Sequence, residues 1–477
     1  MKATIRARGS TLRFAAGIIA AVVLITGLTL AFITANLKAQ TKARRERLHR
    51  AGIPMTLAEM TPPAIPENEN AAPLYQQAIG HLAGAHIVAV RLAMEHFAHR
   101  NGPSRRAQLR AQVTAIVIQN QRALDRFREG ARRPHCRFPL DWNVANPSDF
   151  FHQQPDWVPD GAYQLLARAV IRMERGDAAG AIADARGGLR ISSHMAEGSL
   201  GGTAVSSTLL RATALDVLQE LIESERLDPA TCRQLFDDLE EPDLQALFRR
   251  ELVVGHVLAI WAFDTAQRDP AAMRYELKTE RIDVRTFTAG YLSPLGSLMR
   301  LREEVSYLDR IERGLALYKL PYRRAARGHQ ALEGELGRDR WYHRLTTIFT
   351  PVDIGSGMPM RRDRLLARQG GIQVALALKA YHSKYGRYPG SLDALRAYPG
   401  GAWAAPEMRR SRIQGWKLPD DPFGGKAFGY RREGKGFMLY SWGPDLKDDG
   451  GYPGHYPAWA YFSTPPPSGD IVWHYRR

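Results

Sequence analysis

The chain is poor in the groups that make chemistry visible. It has two cysteines in 477 residues, Cys136 and Cys232. There is no Cys-x-x-Cys pair and no cysteine–histidine cluster, which argues against a structural zinc site. The two thiols can pair in an oxidising compartment and stay free in a reducing one, and the sequence leaves both open. The helical part carries no GxSxG, phosphate-loop or GxGxxG pattern, so no catalytic residue can be named from it. Acidic residues are in deficit, with 49 Asp and Glu against 66 Lys and Arg and a net charge of +17. The basic residues are spread among acids along the chain and form no compact stripe with interleaved aromatics, which argues against nucleic acid as a partner.

Long apolar runs are also scarce, and the one present is informative. Residues 14–33 read FAAGIIAAVVLITGLTLAFI without a charge, long enough to cross a bilayer as a helix. Lys2, Arg6, Arg8 and Arg13 precede it. A cleaved signal peptide is the competing reading. The run is longer than a usual signal core, and Ala35, Asn36, Leu37 and Ala39 make a poor cleavage site, which favours an uncleaved anchor. Both flanks are basic, so charge alone sets no orientation, but long domains translocate largely regardless of charge. The expected topology is an inner-membrane, single-pass protein with residues 1–37 as cytoplasmic tip and anchor and the bulk of the chain periplasmic. Lys38, Lys42, Arg44, Arg45, Arg47 and Arg50 follow the run directly and are suited to anionic lipid.

Residues 38–75, rich in Pro, Glu and Asn over their second half, read as a linker. Residues 76–360 read as a helical domain. Apolar residues recur at helical spacing as Ile87, Val90, Met94 and Phe97, and again as Leu109, Val113, Ile116, Leu124 and Phe127, with Asn101-Gly102-Pro103-Ser104 between the two helices. Residues 163–191 predict a helix hairpin: Leu165, Ala169 and Met173 on one stripe, Gly176-Asp177 at the turn, and Ala181, Ala185 and Leu189 on the second helix. The hairpin resembles one tetratricopeptide unit, although no tandem copies follow at that period; an ordinary hairpin is the alternative. Helical patterning continues over 204–268 and 297–334, with Asp228-Pro229 and Glu241-Pro242 as helix starts. Cys136-Arg-Phe-Pro-Leu-Asp-Trp followed by this hairpin resembles an uncharacterised family of helix-rich, membrane-anchored bacterial proteins, which speaks to fold and not to function. His81, His86, Glu95, His96 and His99 lack a metal pattern and read as helix-surface residues. Asp237, Asp238, Glu240, Glu241 and Asp243 read as a solvated helix boundary.

Residues 361–477 change character. A long helix over 365–385 ends at Gly386-Arg387-Tyr388-Pro389. Ser391 caps a short helix, and strands are predicted over 428–432, 437–440 and 471–475, with Gly434-Lys435-Gly436 as a tight turn. The order and spacing of Tyr381, Gly386, Tyr388, Pro389, Leu392, Leu395, Pro419, Asp421, Pro422, Phe423, Gly424, Tyr430, Tyr440, Ser441, Gly443, Asp445, Asp470 and Ile471 resemble the globular domain of type II secretion major pseudopilins. That resemblance implies a small α+β fold and a calcium ion pinning the loop before the last strand. Ser441, Asp445, Asp448, Asp449 and Asp470 are the metal residues it points to, and carboxylates on a glycine-rich loop suit a hard cation. Residues 451–469, rich in Tyr and Pro, read as an insertion. Gly9-Ser10-Thr11-Leu12-Arg13-Phe14 is somewhat similar to a prepilin processing motif. However, Phe14 stands where that motif has glutamate, and more than three hundred residues separate anchor and domain, so a filament subunit is not expected.

The resulting expectation is a mainly α protein: a transmembrane helix, a helical middle domain with a TPR-like hairpin, and a small pseudopilin-like C-terminal domain. It would act as a binding or scaffold component, associated with a type II secretion-like system through an unidentified envelope partner. The alternative is an envelope hydrolase whose site forms only in the fold.

Overall fold

A computed structural model describes residues 2–82, 103–153, 155, 157–198, 202–224, 227–239, 244–279, 290–293, 296–338, 345, 357–396, 416–454 and 468–475. The expected helix with Ile87, Val90, Met94 and Phe97 lies outside these residues. So do His86, Glu95, His96, His99, Glu240, Glu241, Asp243 and most of 451–469. The described chain is mainly helical, with one small antiparallel sheet near the C-terminus. It forms two compact units. Unit one holds residues 1–59, 256–314 and 334–351, and unit two holds 60–255, 315–333 and 352–477.

Unit one contains α1 (Lys2–Arg50). From Gly17 onward this helix is long and apolar enough to cross a membrane, and none of its most apolar stretch is buried. Ile18, Val22, Ile25, Leu28 and Phe32 are among its exposed apolar side chains. The far end of the helix is tied to protein. Arg45 Nε donates to Glu304 Oε1 at 2.7 Å and its Nη2 to Asp264 Oδ1 at 2.9 Å, and Arg47 lies 3.5 Å from Glu312. Glu304 is buried, so its charge requires this partner. The basic run expected to face lipid is therefore taken up in part by acids of the same unit. Unit one also holds the part of α10 (Leu244–Arg268) from His256, α11 (Pro270–Thr279), and α12 (Ser297–Tyr318) as far as Gly314. Asp269 starts α11 by accepting from Ala271 N and Ala272 N at 3.1 and 3.0 Å, with Pro270 in the first turn, where its missing N–H costs nothing.

Unit two carries α2 (Ala72–Ile79), α3 (Pro103–Gln119), α4 (Gln121–Gly130), α5 (Pro147–His152), α6 (Val158–Glu174), α7 (Ala178–Gly198), α8 (Gly202–Ser224) and α9 (Pro229–Asp238). Where one helix was expected after residue 103, two appear. They break at Asn120, a buried residue whose Nδ2 donates to Gln164 Oε1 of α6 at 2.8 Å. The predicted hairpin is α6 and α7. Gly176, at φ +77°, ends α6 with Gly176 N bonding Met173 O at 3.0 Å and Asp177 N bonding Arg172 O at 2.8 Å. That is the paired closure a left-handed glycine allows. Asp177 then starts α7 by accepting from Gly180 N at 2.9 Å, as a helix-capping aspartate does. The two helices close on glycine, since a Cβ on Gly188 would sit 2.4 Å from Leu166. Between them lies a buried ion pair: Arg168 donates through Nε and Nη2 to the two oxygens of Asp184, at 2.8 Å each. The expected helix start at Asp228-Pro229 is present, with Asp228 Oδ1 accepting from Ala230 N and Thr231 N at 2.9 Å. Both cysteines are buried and unbonded, and burial pushes the Cys232 thiol up to about 12.

The C-terminal part of unit two is built on α14 (Gly357–Tyr385), which packs on α8 and α9 as well as on the sheet. After it come the short α15 (Asp393–Arg396), β1 (Gly429–Glu433), β2 (Gly436–Ser441) and β3 (Ile471–Tyr475), in the order β1-β2-β3 with both pairings antiparallel. Gly434, at φ +57°, opens the two-residue turn between β1 and β2, where a positive φ matches the twist of the hairpin. Gly370 and Gly371 let the sheet approach α14: a Cβ on Gly370 would lie 3.0 Å from Phe428, and one on Gly371 2.7 Å from Trp473. At the head of α14, Arg362 Nη1 and Nη2 donate to Tyr318 O and Leu320 O at 2.7 and 2.9 Å. Asp363 Oδ2 accepts from Tyr322 N at 2.7 Å, in the first turn of α13 (Tyr322–Arg338).

Near this junction Glu251 of α10 is buried. Burial raises its carboxyl from 4.5 to about 7, against the pull of Arg361, and its charge reaches the Tyr318 hydroxyl. A carboxyl raised on folding contributes stability that is fully present below the unfolded value and is lost as pH rises through about 7. Glu251→Gln should remove that loss. Urea melts at pH 5 and pH 8 should show the variant gaining, relative to the parent, on the order of 2 kcal/mol across the interval. Equal changes in both proteins would rule out this titration.

Candidate functional site: the C-terminal turn and acidic loop

The turn Pro419-Asp420-Asp421-Pro422-Phe423-Gly424-Gly425 closes on Asp421. Its carboxylate is buried and accepts four bonds: from Phe423 N at 3.1 Å, Gly424 N at 2.9 Å, Trp442 N at 3.1 Å and Ser441 Oγ at 2.6 Å. Its own backbone pairs with the same turn, Asp421 N to Lys426 O at 2.8 Å and Gly425 N to Asp421 O at 2.7 Å. A carboxylate surrounded by four donors needs no counter-cation, because backbone dipoles and a hydroxyl carry the compensation. Pro422 presets the turn, and Gly424 is required because a Cβ there would meet the Asp421 carboxylate at 2.9 Å. Phe423 is thereby driven into a core with Tyr322, Ala326, Met360 and Ala367, against which Trp442, Leu446 and Ile471 pack. Lys426 Nζ sits 4.5 Å over the Trp442 ring, a cation–π contact that covers the turn.

The acidic loop follows β2. Leu446 stands at φ +63°, a left-handed conformation for a residue with a side chain, and Gly443, Gly450, Gly451 and Gly469 are left-handed too. The loop closes through its carboxylates. Asp445 Oδ2 accepts from Gly469 N at 2.8 Å and Asp448 Oδ1 from Gly450 N at 3.1 Å. Asp470 is buried and accepts from Asp449 N at 3.3 Å and Gly451 N at 2.6 Å. Burial pushes the Asp470 carboxyl up, and the charges of Asp448 and Asp449 push it further against its backbone donors.

Of the five residues the sequence pointed to, Asp449 meets Asp470 through its backbone N, Asp448 closes on Gly450 N and Asp445 closes on Gly469 N. Ser441 is committed to Asp421 and lies on the turn. Among the described residues no three His, Cys, Asp or Glu side chains converge tightly enough to hold an ion between them. Calcium also takes backbone carbonyls and water, so the donor chemistry of the loop suits it while the side chains here serve the backbone.

Other candidates resolve as structural. His81 is exposed just beyond α2. Asp237 pairs with Arg233 at 2.9 Å, and Asp238 pairs with Arg186. The role of Asp421 as the hub of the turn was not drawn from the sequence, although its place between two prolines ahead of Phe-Gly-Gly marks a turn that must satisfy its own amides.

Asp421→Ala should strand four donors, two of them in fully buried bonds, and destabilise the chain by about 3 kcal/mol. Asp420→Ala, next door and exposed, should stay within about 0.5 kcal/mol. Thermal melts of both variants check this, and equal behaviour would remove Asp421 as the pin.

Comparison with known families places a match on this region. The family model of the type II secretion system protein G covers residues 366–453, which takes in most of α14, the turn, β1, β2 and the acidic loop as far as Pro453, short of Asp470. No curated protein and no solved structure matches the chain.

Proposed function

We propose that the chain is a single-pass envelope protein that acts by binding, holding a pseudopilin-like module on a helical scaffold beside a type II secretion-like apparatus. The observation that carries this reading is the protein G match on a domain whose chain also bears an exposed apolar helix near its N-terminus. The fit is to a membrane-anchored, secretion-associated protein. The finer statement, an inner-membrane anchor with the bulk in the periplasm, is supported by the ease with which long domains translocate regardless of flanking charge.

Two measurements test it. In cells carrying a type II system, protease added to spheroplasts should digest residues beyond the anchor while leaving the N-terminal tip protected. Crosslinking in intact cells should join the chain to a pseudopilin or platform component. Digestion seen only in inverted vesicles would overturn the topology, and crosslinks unchanged in cells lacking the secretion genes would overturn the association.

Calcium belongs to the same proposal. Asp445, Asp448, Asp449 and Asp470 would hold the ion with loop carbonyls, and none of the four carboxylates has a basic ion-pair partner among the described residues. Bound calcium would offset the charges of Asp448 and Asp449, which add to burial in raising the Asp470 carboxyl. The thermal midpoint of the full chain should therefore rise in millimolar calcium over excess chelator. The rise should be larger at pH 7 than at pH 4, because the ligands must be deprotonated. Asp445→Ala with Asp448→Ala should abolish it, and no shift in the parent would end the metal assignment.

A further inference from the structure

In unit one the protein begins where the apolar run ends. The run closes at Ile33, and none of the most apolar stretch of α1 is buried. From the next residue a stripe of α1 is covered. Thr34 and Leu37 are half-buried, and Thr41 and Leu48 are buried at 8% and 3% exposure. Steps of three, four and seven lie on one face of a helix. The helix itself continues without a break to Arg50.

The ion pairs give the direction of packing. Arg45 meets Glu304 of α12, and Arg47, further along α1, meets Glu312, further along α12. The two helices therefore run the same way, and the start of α12 points back toward Ile33. Arg45 lies twelve residues past Ile33, about 18 Å along the axis. Ser297 precedes Glu304 by seven residues, about 10 Å. The start of α12 thus stands about 8 Å beyond the apolar run, where the headgroup layer is about 5–7 Å deep. The end of α10 stands with it: Asp264 accepts from Arg45 at 2.9 Å, and Gln267 Nε2 donates to Ser297 O at 3.4 Å. α11 starts there, at Asp269, and Arg274 Nη2 donates to Leu292 O at 3.1 Å in the turn ahead of α12. It lies across the membrane-side ends of α10 and α12.

This helix has two faces. Met273 and Leu277 are fully buried, while Ala271, Arg274 and Tyr275 are exposed, Tyr275 at 69%. The exposed three are spaced by three and four, so they share a face. A single exposed aromatic is ordinary on a protein surface. At the depth of headgroups, however, a ring with one polar tip fits a boundary that is apolar on one side and wet on the other. The neighbouring charges agree with that place. Arg274 bonds a carbonyl, which leaves its charge in place, and Arg268, 78% exposed, shares Asp264 with Arg45. The carboxylate of Asp269 is engaged by the first amides of α11. We propose that the outer face of α11 rests in the phospholipid headgroup layer, with Tyr275 as its interfacial contact, and holds unit one against the bilayer. The inference rests on the reading of α1 as a membrane-spanning helix.

The test is fluorescence quenching of the full chain in nanodiscs of phosphatidylglycerol and phosphatidylcholine that carry a lipid with a nitroxide on its headgroup. A fluorophore is attached at Ala35→Cys, Ala271→Cys or Arg50→Cys, all exposed positions of unit one. The two native thiols are buried, and the unsubstituted chain taken through the labelling gives the background. Arg50 lies seventeen residues past Ile33, about 25 Å from the apolar run. We expect strong quenching at 35 and 271 and little at 50. Tyr275→Asp added to the Ala271→Cys chain should cause a partial loss of quenching with an unchanged melt. Quenching at 35 with position 271 as weak as position 50 would overturn the proposal and leave the anchor standing. No quenching at 35 would overturn both. Unchanged quenching in the Tyr275→Asp chain would overturn the contact assigned to Tyr275.

Discussion

The neighbouring charges Arg362 and Asp363 hold the C-terminal module to the helices beneath it. A helix end leaves carbonyls without partners, and a helix start leaves amides without partners. Arg362 serves the carbonyls of Tyr318 and Leu320 at the close of α12, and Asp363 serves the amide of Tyr322 at the opening of α13. The two also bond each other, Arg362 Nε to Asp363 Oδ1 at 2.6 Å, and Arg362 lies 4.9 Å over the Tyr318 ring. Both are buried. Each alone would be costly there, and together they are neutral and hydrogen-bonded, the condition under which an ion pair tolerates burial. Burial pushes the Asp363 carboxyl up, and Arg362 and the Tyr322 amide pull against it. The cationic member meets helix carbonyls and the anionic member meets helix amides, so the helix dipoles favour the arrangement as well.

From that junction α14 runs with different neighbours along its length. Gln369 Nε2 donates to Leu239 O at the end of α9 and its Oε1 accepts from Arg211 of α8, while Gly370 and Gly371 admit Phe428 and Trp473 from the sheet side. One turn of helix therefore presents a polar link to the helical region and a smooth face to the sheet. Alanine at position 371 would favour the helix but would drive a methyl group into a buried indole. The sheet is small, and three strands need such a surface to be stable.

What the sequence disclosed was local. Gly176-Asp177 predicts both the end of α6 and the start of α7, because the left-handed glycine and the capping aspartate act within a few residues. Asp228-Pro229 works the same way. The three strands and their turn were readable because alternation and Gly434 act over short spans. What it concealed was set by distant pairs. Asn120 interrupts a periodic helix because Gln164 engages it. Ser441, which resembles a loop ligand by position, is drawn to Asp421, twenty residues earlier. Arg45 looks like part of a lipid-facing run, yet meets Asp264 and Glu304.

The junction at Arg362 and Asp363 also bears on what the C-terminal module can do. In the pseudopilins this module resembles, the globular domain continues directly from the membrane helix, and that helix builds the filament core. Here the head of α14 is occupied: Met358, Met360, Arg362, Asp363 and Arg364 are all buried, and Met360 lies in the same core as Tyr322 and Phe423. The first turns of this helix are largely enclosed by its own chain, with Arg361 half-buried among them. Exposing it would break the Arg362–Asp363 pair and strand the groups that the pair satisfies, a loss of several kcal/mol by the general cost of unpaired buried charge. The head of α14 is thus committed to contacts within its own chain, while the turn and the sheet follow on from its far end.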